Sequence, residues 1–338
     1  MKKVLLLVSC LFLVMGCGKK QNIDVSKELI KKLEKSKSYE IKGNLELQND
    51  EEIFKYTIDV SYLDKNYYKV EMINVANEHK QIILRNQDGL YVVTPALNKS
   101  FKFESTWPDN SSQSYILSSL IKNIKNDTKK EITKTEDGYI IKTVVNYPNN
   151  EELKYQKIYI DKNYNLKKVE VYGNDIVKIK TEFTDIDLKA GLDNKIFDLK
   201  NYIEEDTCDE NECKQNENTT MSNVESAIYP LYMPSNTYLS ASEVVNNDDT
   251  SRVILTYSGD KNFVLIEEGA VKNVEHEIIP VYGEPIMLND TIAALSTNSM
   301  YWTSNDVDYY MASDDLTVNE MVFIASSLTN SKNVAVTK

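Results

Sequence analysis

Few residues in this chain of 338 could do chemistry. Its two histidines, His79 and His276, stand far apart, and Glu275-His276-Glu277 offers one imidazole with no second histidine or cysteine at ligand spacing. A strand would also send both glutamates to the face opposite the histidine, so the triplet reads as a polar strand edge. No Gly-x-Ser-x-Gly elbow, His-Glu-x-x-His helix or phosphate-binding glycine loop occurs, and 10 glycines leave little backbone for cradling phosphate. With 52 carboxylates, no single pair of them is informative. The reading is a protein with no catalytic residue, no metal and no cofactor. A formal charge of −13 disfavours nucleic acid as a partner. Cys208 and Cys213 lie in the acidic stretch 203–223. In an oxidising exterior they could close a small disulfide loop, or they could stay reduced.

Cys17 is different. Lys2 and Lys3 form a positive start, Val4 to Val14 an apolar run, and Met15-Gly16-Cys17 puts a small residue directly before the thiol. The order is that of a secretory signal, too short to span a bilayer. Its end resembles the lipobox of bacterial lipoproteins. That resemblance implies removal of residues 1–16 and a diacylglyceryl anchor on Cys17, holding the protein to the extracytoplasmic face of the cell membrane. Two acyl chains, at about 0.8 kcal/mol per buried methylene, make a stable anchor. Residues 17–38 form a lipidated stem with lysines in excess, and Val25, Leu29 and Leu33 predict a helix over Val25 to Ser36. That helix is either a stem lying against lipid headgroups or a packed first helix with a solvated face.

The elements come in two groups, parted by 203–223, which is too polar to bury a core and reads as a linker. Over 39–202, alternating apolar residues predict about eleven strands. Turn residues such as Asp88-Gly89, Asp137-Gly138 and Gly173-Asn174-Asp175 make neighbouring strands antiparallel. A sheet of that length curls. One interruption, Trp107-Pro108 followed by Tyr115, Ile116, Leu120, Ile121 and Ile124 at helical spacing, predicts a lid across the concave face, with Trp107, Pro108, Tyr115, Ile116 and Leu120 as lid or binding-loop residues. What lies beneath is a packed core or a lipid-sized cavity, with the filled core preferred. The 22 tyrosines suit strands that bury a ring and wet a hydroxyl at the rim. Residues 224–338 predict a smaller α+β domain, with strands near 240–245, 252–258 and 262–267, two more around Tyr301-Trp302 and Val307 to Ala312, and a closing helix capped by Thr317 and Glu320.

The run Gly89 to Phe103, GLYVVTPALNKSFKF, with Trp107-Pro108 and Gln113-Ser114-Tyr115-Ile116-Leu117, resembles the LolA/RseB-like lipoproteins of spore-forming Firmicutes, the YdcC and GerS germination-lipoprotein group. The resemblance covers about 25–200 and implies an α+β, mainly β fold: a curved antiparallel half-barrel with a helical lid. It carries over no catalytic residue. It implies a non-enzymatic binding or accessory factor of sporulation or germination, with an extracytoplasmic protein partner such as a cortex amidase. Two other readings stay open: a carrier or sensor of a lipid or acyl chain, and an RseB-like regulator of envelope signalling. The C-terminal part resembles a small domain found on extracytoplasmic Firmicutes regulators and lipoproteins.

Overall fold

Consecutive runs of mostly alternating residues leave one good arrangement, an antiparallel sheet with one dry face, except where Ile82, Leu84, Tyr91 and Val93 are buried on the outer face as well, under Phe197. A computed structural model describes residues 24–49, 52–64, 67–105, 107, 113–147, 150–203, 224, 226–246, 251–273 and 275–328. After helix α1 (Val25–Glu34) come β1 (Ser38–Gln48), β2 (Ile53–Leu63), β3 (Tyr67–Asn74), β4 (Lys80–Asn86), β5 (Gly89–Thr94) and β6 (Lys99–Phe103). Helix α2 (Leu117–Asn126) precedes β7 (Glu131–Lys134), β8 (Gly138–Val144), β9 (Leu153–Asp161), β10 (Leu166–Gly173) and β11 (Ile176–Asp187). Beyond residue 223 follow β12 (Thr237–Asn246), β13 (Ser251–Gly259), β14 (Phe263–Gly269), β15 (Glu277–Val281), β16 (Glu284–Met287), β17 (Ile292–Leu295), β18 (Ser299–Ser304), β19 (Val307–Ala312) and α3 (Val318–Leu328).

The first sheet runs β15-β6-β5-β4-β3-β2-β1-β11-β10-β9-β8-β7. Val92 and Phe101 on one side and Ile158 and Val169 on the other join a single core with both helices, so the sheet curls around them. Bulges between Lys42 and Gly43 and between Val171 and Tyr172 sharpen the bend. Gly43 sits at the first of these with Glu182 so close that an added Cβ would meet its carbonyl oxygen at 2.4 Å. Asn174 and Asp175 both adopt left-handed conformations in the β10–β11 turn, the conformation a tight hairpin requires.

Helix α1 starts where Asp24 accepts from the Lys27 amide and buries Val25, Leu29 and Leu33. Helix α2 buries Leu117, Leu120 and Ile124. Its N-cap is Ile116, in extended conformation, and Tyr115 and Ile116 serve as core residues ahead of the first turn. The second sheet, β12-β13-β14-β19-β18-β17-β16, is antiparallel and packs Leu265, Trp302 and Met311 against Met321, Ile324 and Leu328 of α3. The expected capping box is formed: Glu320 accepts from the Thr317 amide at 2.8 Å, and the Glu320 amide donates to the Thr317 hydroxyl at 3.2 Å. The fold is therefore α+β and mainly β, a curved half-barrel with helices on its concave side and a smaller α+β part after it.

Three short strands, β15, β16 and β17, are additional to the sequence reading, and the first of them changes the topology. Strand β15 leaves the second part of the chain and pairs in parallel with β6, Glu277 opposite Lys99 through Val281 opposite Phe103. The first sheet thus has twelve strands, one of them contributed from beyond residue 223.

Candidate functional site

Of the expected lid residues, Trp107, Tyr115, Ile116 and Leu120 are each at most 1% exposed and belong to the core of the half-barrel. The Trp107 ring nitrogen donates to Gln113 at 3.0 Å, and its face meets the edge of Tyr68 at 5.4 Å. Tyr39, Tyr62 and Tyr68 continue that aromatic stack across β1, β2 and β3. The Tyr115 hydroxyl donates weakly to the Met72 sulfur at 3.7 Å, and burial holds its pKa well above the usual phenol value. Beneath α2 the concave face is filled by the chain's own side chains. Pro108, Cys17, Cys208 and Cys213 lie outside the described residues.

A cleft of about 260 Å³ opens at the rim, where the two parts of the chain meet. Its half-barrel wall is Leu45, Leu47 and Ile179 with Trp107 and Tyr115 behind, and its opposite wall is Ile286 to Asn289 with Phe323 of α3. Phe323 is 39% exposed. Polar groups fix this wall. Asn289 donates to the Ser326 carbonyl at 2.9 Å, its own carbonyl accepts from the Tyr56 hydroxyl at 2.6 Å, and Ser105 donates to Glu284. The cleft is therefore a rigid, mostly apolar slot with a polar rim.

The seam holding that slot has its own chemistry. Lys99 meets Asp308 at 2.6 Å with side chains 6% and 14% exposed, and Tyr301 packs on Phe101 with ring centroids 4.9 Å apart. The Gln81 side-chain oxygen accepts from the Ile292 amide at 2.7 Å and the Thr291 hydroxyl at 3.2 Å. His276 is hydrogen-bonded to buried Ser100 at 3.0 Å, and burial lowers its pKa. Burial also lowers the pKa of His79, although Asp290 and Asp306 from the second part pull it back up. Both histidines thus belong to the seam. Asn98, left-handed at φ 50°, ends the turn after Pro95 and lets β6 begin where β15 can reach it.

The motif Gly89 to Phe103 is consequently the docking edge for the second part of the chain. The family resemblance pointed at the motif, but nothing in the sequence reading gave Glu277–Val281 as its partner. Two isoleucines and a valine with one proline were the available signal, since proline is tolerated in an edge strand. Among the described residues no group of three or more His, Cys, Asp or Glu could hold a metal ion, and no helix is long and apolar enough to cross a membrane.

Residues 1–197 match the family model described as sporulation protein YdcC-like. Sporulation protein YdcC of Bacillus subtilis (strain 168) is 33% identical over 329 residues, covering 96% of each chain. The chain belongs to the YdcC-like sporulation protein family. Solved structures similar to this YdcC-like chain include the complex of MucA and MucB from Pseudomonas aeruginosa, at TM-score 0.32 and 10% identity over 89% of this chain and 97% of that one. A LolA superfamily protein from Nitrosomonas europaea overlays at TM-score 0.30 and 14% identity over 52% of this chain and 98% of that one. Scores this low carry no argument, and the family rests on the sequence match.

Proposed function

We propose that this YdcC-like protein is a lipid-anchored, non-enzymatic accessory factor of sporulation or germination, held on the extracytoplasmic face by Cys17 and engaging a protein partner there. The observation that carries the reading is the filled concave face: Trp107, Tyr115, Ile116 and Leu120 occupy the space an acyl chain would need. The rim cleft, at about 260 Å³, falls below the roughly 300–1,000 Å³ typical of small-molecule sites, and the larger open grooves, about 750 and 700 Å³, lie against α1 and are lined by lysines and carboxylates. Its exposed Phe323 on a rigid wall is the kind of apolar anchor that protein interfaces use. A cortex-modifying amidase is the partner class implied by the resemblance in Gly89 to Phe103.

The test is purification of the tagged protein from membranes of sporulating cells, with native mass spectrometry. A stoichiometric partner that is lost on Phe323→Asp, while the variant keeps its unfolding temperature, supports the reading. A lipid adduct that persists on the protein after removal of the anchor would replace it with a carrier.

A further inference from the structure

We infer that the solvent face of α1 and α2 is the membrane-facing surface of this protein and takes anionic lipid headgroups. This rests on the anchor proposed at Cys17 and adds which way the molecule faces. The two helices bury Val25, Leu29, Leu33, Leu117, Leu120 and Ile124. Their outer faces and C-terminal ends leave Lys27, Lys31, Lys35, Lys122, Lys125 and Lys129 exposed. Of the four neighbouring carboxylates, Glu28 adds a negative charge to the first turn of α1 and the other three are engaged, two of them by Lys27 and Lys125, so the excess positive charge rests on Lys31, Lys35, Lys122 and Lys129. Asp24 caps α1 and pairs with Lys27, Glu34 pairs with Lys125 across the two helices, and Asp127 turns inward to accept from the amides of Lys129 and Val144. Between the helices runs an open groove of about 700 Å³, with Ile30 and Ile124 in it and five lysines, Lys27, Lys31, Lys35, Lys125 and Lys130, along it against three carboxylates, Asp24, Glu28 and Glu34.

This basic face belongs to a chain whose formal charge is −13. An anionic bilayer repels most of such a surface and attracts this part of it. The tether keeps α1 close to the bilayer, and charge then selects the face. Val25 follows Cys17 by eight positions, so even a fully extended link places the first turn of α1 within about 28 Å of the anchored residue. Lys19 and Lys20 lie in that link and add to the same charge.

The experiment uses the chain 17–338 carrying Cys208→Ser and Cys213→Ser, so that Cys17 is the single thiol. It is coupled through that thiol to a maleimide phospholipid in vesicles of phosphatidylcholine, alone or with about one third phosphatidylglycerol. Lysine acylation by an amine-reactive ester is read residue by residue by mass spectrometry. On the anionic vesicles, Lys31, Lys35, Lys122 and Lys129 are expected to label about fivefold more slowly than on neutral ones, and about 0.5 M salt should abolish the difference. The variant Lys31→Glu, Lys35→Glu, Lys122→Glu should lose protection at Lys27 and Lys129 with its thermal unfolding unchanged.

Equal labelling on both vesicle types, or protection on another face, overturns the inference and leaves the helices to an acidic protein instead. Chemical coupling supplies the tether in either case. The anchor reading fails separately, if protein from cells carries no lipid mass on Cys17.

Discussion

Two buried carboxylates in this molecule respond to pH in opposite directions. Glu267 on β14 is fully buried, accepts from the Ile228 amide at 2.9 Å through one oxygen, and finds no partner among the described residues for the other. Burial pushes its pKa up to about 7, the Ile228 bond only partly offsetting it, and the phenols of Tyr257 and Tyr309 face it from the neighbouring strands. A raised carboxyl pKa means the folded state prefers the proton. The stability so held is present below about pH 4.5 and lost as pH rises through about 7. Glu267→Gln should therefore be more stable than the parent by about 2–3 kcal/mol at pH 8 and near parity at pH 4.5, measured by urea unfolding at both. Glu170 on β10 behaves the other way. Burial pushes it up, but Lys168 at 2.7 Å and the hydroxyls of Tyr159 at 2.6 Å and Tyr172 at 2.7 Å outweigh this and hold it below the usual range. Its contribution is present above the ordinary glutamate pKa and fades as pH falls through the lowered value. Glu170→Gln should cost about 1–3 kcal/mol at neutral pH and less in acid, by the same measurement.

At the scale of elements, the seam between β6 and β15 is the feature to test. Removing one partner of a buried ion pair leaves the other charge stranded, so Lys99→Ala should cost about 3 kcal/mol. Lys99→Met with Asp308→Leu should recover most of that, which a denaturant titration of the two variants checks. Gln81→Leu removes the acceptor of the Ile292 amide and should cost about 1–3 kcal/mol. The strands of the half-barrel were legible because each carries its own period: Phe54, Tyr56, Ile58 and Val60 alternate, and Gly89 and Asn174-Asp175 mark turns that only such residues make easily. The closing helix was legible from Thr317 and Glu320. Strands β15, β16 and β17 were not. They are four or five residues long, and their position depends on partners far away in sequence rather than on local pattern. The rim cleft was hidden for the same reason, since Leu47 and Phe323 become neighbours only when the seam closes. Trp107, Tyr115, Ile116 and Leu120 stand out in the sequence as apolar residues near a helix, but their types could not say whether they cover a cavity or pack a core.

For the whole molecule, one shared sheet across both parts predicts shared cooperativity. The chain carries 2 tryptophans, and Trp107 lies in the first core while Trp302 lies in the second. Single-tryptophan variants made with Trp302→Phe or Trp107→Phe should therefore report the same urea midpoint, and adding Lys99→Ala should pull the two midpoints apart. Two distinct midpoints in the parent would show that the parts unfold independently. The same seam sets a condition on biosynthesis. Ser100 and His276, bonded in the finished protein, are 176 positions apart. A ribosome will have released all of β6 long before β15 exists, so the nascent half-barrel carries an open strand edge bearing Phe101 and Phe103. For that interval the chain is a template for any extended peptide nearby, and a chaperone or rapid completion of synthesis has to guard it until its own C-terminal strand arrives.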